Sequence, residues 1–364
     1  MPRSNLYKVI VVAVLAGFLV GIIAELIYQV YFVIPSLTTG DVVINRQLSL
    51  ESSKKIQSVV QNISPSLVTV YRKKPLREIN NPYFADEILG RGLIITNDGW
   101  LIAYINSQEA IGSLKNNIIV KTSDASLYNV MAGLEDPATG ILFLKIEAAN
   151  LVPAQFGDSG QLKLSEQIII APDTNSARIS YLENLNYYHQ SNLNQLTLSS
   201  EIYSNFLMIQ DKPDLRFIGA PVLNLDGEII GILNKLDENQ AALVTPANYF
   251  KGLIGNVLAQ NKISRPRLGL NYFDLSMVLG LNQQLTHEFK KGALVLNLQK
   301  NSPALGLLKT NDIILKVDGE EVTAARGLSE KILEFSPEQK IILTVFRDNQ
   351  EQEIEVQLAG LAVN

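Results

Sequence analysis

Seven short runs rich in β-branched and other apolar residues, spaced between Ile56 and about Gly255, restrict this chain more than any other feature. They are Leu67 to Tyr71, Leu93 to Thr96, Ile118 to Thr122, Ile141 to Ile146, Gln167 to Ala171, Phe206 to Gln210 and Glu228 to Asn234, bounded by Gly, Asn, Asp and Pro. Closely spaced short strands with turn signals indicate an all-β sandwich or barrel rather than βαβ units. Pattern alone stops at that class. The Asn-, Tyr- and Ser-rich stretch from Glu183 to Ser200 reads as a long loop.

A second block, from about Ile263 to Leu358, follows a helical stretch at Pro246 to Asn261 and a break at Ser264-Arg265-Pro266. Its middle reads as turn, strand and turn (Lys309-Thr-Asn-Asp, Ile-Ile-Leu-Lys-Val, Asp-Gly319), and Ile341 to Arg347 alternates loosely, so its size and element order fit a small α+β module. A further helix is expected over Asn282 to Lys291. The 364 residues leave room for two or three domains.

Ahead of both blocks, Val9 to Ile34 is almost continuously apolar with only Glu25 charged, long enough to cross about 30 Å of hydrocarbon. We expect a transmembrane helix over 9–34, a cytoplasmic 1–8 and a polar linker over 35–53. A cleaved signal peptide competes, but its apolar core runs about 7–15 residues and ends at a small-residue site that is not found here. Arg3 and Lys8 precede the span and the next basic residue after it is Arg46, which places the N-terminus inside and the rest of the chain outside a single-pass cell membrane.

Composition excludes other classes. A net charge of −5 without a Lys/Arg stripe argues against nucleic acid as a partner. The absence of cysteine removes disulfide scaffolds, thiolate zinc sites and cysteine nucleophiles, and two distant histidines, His189 and His287, give metal catalysis little to stand on. No cofactor and no metal site is expected.

Four motifs then occur in order. Gly90-Arg-Gly-Leu-Ile-Ile-Thr-Asn-Asp-Gly-Trp-Leu-Ile102, Gly133-Leu-Glu-Asp-Pro-Ala-Thr-Gly-Ile-Leu-Phe-Leu-Lys-Ile146, Phe156-Gly-Asp-Ser159 with Gln167-Ile-Ile-Ile-Ala171, and Gly219-Ala-Pro-Val-Leu-Asn-Leu-Asp-Gly-Glu-Ile-Ile-Gly-Ile232 together resemble the framework of the HtrA/Deg serine proteases. The C-terminal block resembles a PDZ domain of the same family through Arg265-Pro-Arg-Leu-Gly-Leu270, Gly292-Ala-Leu-Val-Leu296, Asn301-Ser-Pro-Ala304 and Val317-Asp-Gly319. The resemblance implies a mainly β chain: a chymotrypsin-like double β-barrel over 54–262 and an α+β PDZ domain over 263–360. Aligned on these motifs, the catalytic histidine position holds Asn106, the aspartate position Gly140 and the nucleophile position Ile218, with Arg216 at a glycine whose N–H usually serves the oxyanion.

Acyl transfer in this fold needs a hydroxyl, an imidazole, a carboxylate and backbone N–H donors. Asn106 is no base, Gly140 has no side chain and Ile218 is no nucleophile, so we expect a pseudoprotease acting as a peptide-binding or scaffold protein. By the same resemblance, Leu268, Gly269 and Leu270 form the loop that captures C-terminal or unfolded peptides, with Arg265 and Arg267 as sources of attraction or as solvated linker charges. A homotrimer, or a mixed trimer with an active homologue, is expected by analogy. The competing reading is an active endopeptidase of protein quality control with a relocated site. It rests on Gly157-Asp158-Ser159-Gly160, a nucleophile-like string read here as a turn, and on a histidine such as His189. A purely structural envelope protein whose PDZ block binds nothing is the third possibility.

Overall fold

The alternation of side chains along a strand explains why the apolar runs are so continuous. In a computed structural model, which describes residues 3–31, 53–74, 82–105, 116–188, 196–236 and 241–363, strands β1 (Leu67–Arg72), β2 (Ile88–Ile94), β3 (Trp100–Ile105), β4 (Ile118–Thr122), β5 (Leu127–Glu135) and β6 (Leu142–Ile146) close a barrel in the order β1-β2-β3-β6-β5-β4. Along β3, Leu101, Ala103 and Ile105 fill this barrel, while Trp100 and Ile102 join a second cluster with Phe143, Ile169, Leu223 and Phe250. Successive residues point to opposite faces, and here both faces are buried.

After β7 (Gln167–Asp173) and β8 (Ser176–Tyr188), the chain forms the two-residue strand β9 (Leu198–Ser199). It then continues through β10 (Asn205–Ile209), β11 (Pro221–Leu223), β12 (Ile229–Leu236) and β13 (Ala242–Pro246). All but β9 close a second barrel, β10-β13-β12-β11-β7-β8. On β7, Ile168 and Ile170 point into it while Ile169 and Ala171 face the cluster shared with the first barrel. The expected loop at 183–200 is corrected in part: β8 runs to Tyr188, opposite Asn205, because its backbone pairs with β10 and β7 to close the barrel.

Two short helices, Asn248–Lys251 and Ile254–Gln260, lead to the last module. There β14 (Ile263–Arg267) pairs with β21 (Ala359–Val363). A larger sheet contains β15 (Leu270–Asp274), β16 (Ala293–Leu298), β17 (Ile313–Val317), β18 (Glu320–Glu321), β19 (Lys340–Arg347) and β20 (Gln350–Gln357). Its path is β20-β19-β17-β16-β15-β9, with β18 on β17, so a strand from the barrel region completes it. The helix Leu328–Ile332 is buried throughout, with Leu328 and Ile332 in the module's core. The helix expected over Asn282 to Lys291 is shorter, Gln283–Thr286, because His287 and Glu288 take left-handed backbone that ends it. The ring of His287 packs edge-on to Phe346 at 5.0 Å.

The residues 1–55 form a separate unit. Its helix spans Arg3–Tyr31, and the side chains described on it, 10–25 and Tyr28, are exposed, among them Phe18 at 72% and Val14 at 66%. Among the described residues no helix is long and apolar enough to cross a membrane. The span expected over 9–34 is therefore not found among the described residues. Residues 32–34 and most of the expected linker lie outside the described residues.

One charged pair ties the parts of the globular unit together. Arg265 on β14 donates from Nε to Asp136 Oδ1 (3.1 Å) and from Nη2 to Asp136 Oδ2 (2.6 Å) and the Tyr249 carbonyl (2.6 Å), and from Nη1 to Tyr203 Oη (3.3 Å). Asp136 lies in the turn between β5 and β6 and is fully buried; Arg265 is 4% exposed. Breaking a buried pair strands a charge at a cost of about 3–5 kcal/mol. We expect Asp136→Asn to lower the unfolding free energy by an amount of that order, seen as a lower urea midpoint at unchanged slope; a loss of less than about 0.5 kcal/mol would refute it.

Candidate functional site

The turn that carries the expected nucleophile position is closed on itself. Asp214 caps a single helical turn, Leu215–Phe217: its Oδ1 accepts from Arg216 N–H at 2.9 Å and its carbonyl from Phe217 N–H at 2.8 Å. The Ile218 N–H donates to the Leu215 carbonyl at 3.1 Å. Ile218 is 7% exposed and its side chain belongs to the second-barrel core, beside Tyr104 and Phe217. Gly219 follows with φ +82°, and a Cβ there would meet the Tyr104 carbonyl at 2.8 Å, so only glycine fits where the two barrels approach.

Arg91, the middle residue of Gly90-Arg-Gly92, holds this turn from the other barrel. Its Nε donates to the Arg216 carbonyl at 2.8 Å, its Nη1 to the Pro172 carbonyl at 2.6 Å, and Asp173 lies 3.6 Å from Nη1. Burial pulls the Arg91 pKa down, against the opposing charge of Asp173. A cavity of about 260 Å³ remains between Ile88–Arg91 and the turn at 215–218.

Gly140 sits in the tight turn that starts at Asp136. With φ +71°, it donates its N–H to the Asp136 carbonyl at 2.7 Å. A Cβ there would stand 3.3 Å from the Tyr104 ring. Tyr104 therefore touches both the Gly140 turn and the Ile218 cluster, and burial followed by the charge of Glu135 raises its pKa. Asn106 and His189 lie outside the described residues. Ser159 is in a turn: Asp158 Oδ1 accepts from Gly160 N–H at 2.9 Å, and the Ser159 hydroxyl oxygen accepts from Asn248 N–H at 3.1 Å.

The amides of Leu268, Gly269 and Leu270 have partners within the chain. The Oε1 of Glu201 accepts from Leu268 N–H (3.2 Å) and Gly269 N–H (2.7 Å), while Leu270 N–H donates to Ser200 Oγ (3.1 Å). Gly269 has φ +81°, and a Cβ would fall 2.1 Å from that of Ser302. Arg265 is no source of attraction for a ligand, being buried on Asp136, and Arg267 reaches Gln299 Oε1 at 3.0 Å. Among the described residues no cluster of acidic, histidine or cysteine side chains could hold a metal.

Sequence reasoning passed over Arg91, Asp136, Asp214 and Glu201. Arg91 carried a usable signal, a lone charge between two glycines in an apolar strand. Glu201, at the end of a polar stretch, carried none.

Comparison with known proteins places these features. Residues 269–358 match the family model of the PDZ domain. A "probable periplasmic serine endoprotease DegP-like" of Marinomonas sp. (strain MWYL1) is 26% identical over 283 residues, 74% of this chain and 56% of the relative. A protein of the same description from Chlamydia muridarum is 25% identical over 286 residues, 77% of this chain and 56% of the relative. The chain thus spans about half the length of the curated relatives it matches. Among solved structures, the HtrA-type protease AlgW with a tripeptide superimposes with a TM-score of 0.61 at 19% identity, covering 85% of this chain and 98% of that one, a likeness of fold.

Proposed function

From the premise that the chain belongs to the HtrA family, with a trypsin-like double barrel followed by a PDZ domain, we propose that it is a pseudoprotease that binds peptides or proteins outside the cytoplasm. The observation that carries this reading is the closed turn at 214–218. Stabilising an acyl-transfer oxyanion takes backbone N–H groups aimed at the site where charge develops. The two amides at the corresponding positions, Arg216 and Ile218, donate instead to Asp214 and Leu215. Gly140 and Ile218 bring neither carboxylate nor hydroxyl, and Arg91 fixes the Arg216 carbonyl from across the cleft. Asn106 completes the set of replaced positions on the alignment of motifs.

The binding half of the proposal rests on the loop 268–270. Strand addition to an open sheet edge with capture of a carboxylate by backbone amides is a general mode of peptide recognition. A loop whose amides converge on a carboxylate oxygen has that chemistry. We include an oligomer, a homotrimer or a mixed trimer with an active homologue, in the same reading by analogy with the family; sedimentation of the globular unit as a monomer would remove it.

The N-terminal helix enters as a tether. Its exposed apolar side chains on every side, such as Ile10, Leu15, Phe18 and Ile22, have no reason to face water. The described relatives are named as periplasmic, which suits a globular part on the outer side of a cell membrane. The full chain is expected to co-sediment with lipid vesicles while the region from about residue 53 onward does not; equal sedimentation of the two would contradict the tether.

The catalytic half is tested on the region from about residue 53 onward, incubated with a denatured protein and a fluorophosphonate probe. We expect neither cleavage nor labelling, with or without added peptide. Labelling abolished by Ser159→Ala would establish a relocated serine site instead.

A further inference from the structure

The carboxylate in the PDZ loop belongs to the chain itself. We infer that Leu198–Glu201 is the resident ligand of the PDZ groove, an internal peptide that any external carboxylate-bearing strand has to displace. The inference rests on the reading of 268–270 as a peptide-capturing loop and says what occupies it.

Three features of a bound peptide are present. β9 adds antiparallel to the edge of β15, with Ser199 opposite Asn271 and Leu198 opposite Tyr272. Main-chain pairing continues as Ser200 N–H donates to the Leu270 carbonyl at 3.0 Å. An apolar side chain is inserted: Leu198 is 8% exposed and lies in the module's core with Leu268, Leu270 and Tyr272. An anion is held, since Glu201 Oε1 accepts the amides of the loop, and its Oε2 accepts from Gln299 Nε2 at 3.1 Å and Ser199 Oγ at 3.2 Å. The side-chain carboxylate of Glu201 thus stands where a terminal carboxylate would be held, and the sheet edge that strand addition requires is covered.

Occupancy of the groove is also wired to the barrels. Two residues beyond Glu201, the Tyr203 ring stacks on Tyr249 at 3.7 Å and its hydroxyl accepts from Arg265, the partner of Asp136. A strand that displaces 198–201 would pull on this contact, and through Asp136 on the turn whose carbonyl holds Gly140 N–H.

The natural absence of cysteine permits a direct test in the full chain. Opposed residues of an antiparallel pair have Cα atoms about 4.5–5.5 Å apart, within disulfide range. Ser199→Cys with Asn271→Cys reports the internal strand. Asn297 faces Asn271 on the opposite neighbour, so Asn271→Cys with Asn297→Cys reports whether β15 is folded. Under oxidised glutathione we expect both pairs to close. The control closing while 199 and 271 stay reduced overturns the inference.

A second measurement separates this inference from the peptide-capture reading: anisotropy of a fluorescein-labelled Gln-Leu-Thr-Leu-Ser-Ser peptide with a free C-terminal carboxylate. Removing the charge-assisted bonds with Glu201→Ala is expected to tighten its binding by roughly tenfold or more over wild type. Closure of the 199–271 pair with no binding to Glu201→Ala would keep the internal ligand and end the capture of external peptides. Equal binding to wild type and Glu201→Ala, with 199–271 open, would do the reverse.

Discussion

The guanidinium of Arg265 stands where the chain's separate cores meet. It takes its counter-charge from the β5–β6 turn of the first barrel, a carbonyl from the helix that follows the second, a hydroxyl from the segment before β10, and its own backbone from the first strand of the PDZ module. Burying both ions is costly and is compensated by the two-pronged geometry, with Thr139 Oγ1 donating to Asp136 Oδ2 as well. Apolar clusters tolerate sliding; a planar fork on a carboxylate does not. The pair therefore fixes the relative placement of the β5–β6 turn and the PDZ module, and with it the position of β9 on the edge of β15.

Asp136 orders the turn that ends in Gly140 through its carboxylate and its carbonyl, and neither role needs a side chain at Gly140. Across the cleft, Asp214 and Arg91 hold the 214–218 turn in a form complete without substrate. Tyr104 and Ile218 pack into the second-barrel cluster, and a cavity of about 260 Å³ remains between Ile88–Arg91 and that turn. Gly140 and Ile218 are each locally satisfied.

How much of this the sequence revealed follows from range. The barrels were legible because a strand buried on two faces writes a continuous apolar run, as Trp100–Ile105 does, and Gly90 and Gly92 marked the register. The PDZ module was legible from motifs spread along it, from Arg265-Pro-Arg-Leu-Gly-Leu270 to Val317-Asp-Gly319. Contacts between residues far apart in the chain were not: Arg265 reads as a source of attraction or a solvated linker charge until Asp136 is brought to it, and nothing local pairs Arg91 with Arg216. β8 matches none of the apolar runs read in the sequence, because its Arg, Tyr, Glu and Asn residues look like loop composition although both its edges are paired. Glu201 had no local signal, since its role depends on where the folded loop at 268–269 presents its amides.

The central claim is that the amides of Arg216 and Ile218 are never offered to a substrate. Native-state hydrogen exchange across residues 214–218, measured with and without a saturating carboxylate-terminated peptide, tests it most directly. The account predicts that both amides stay protected and that the peptide leaves their rates unchanged. Exchange that accelerates on peptide binding would show a turn able to open into an oxyanion site, and would contradict it.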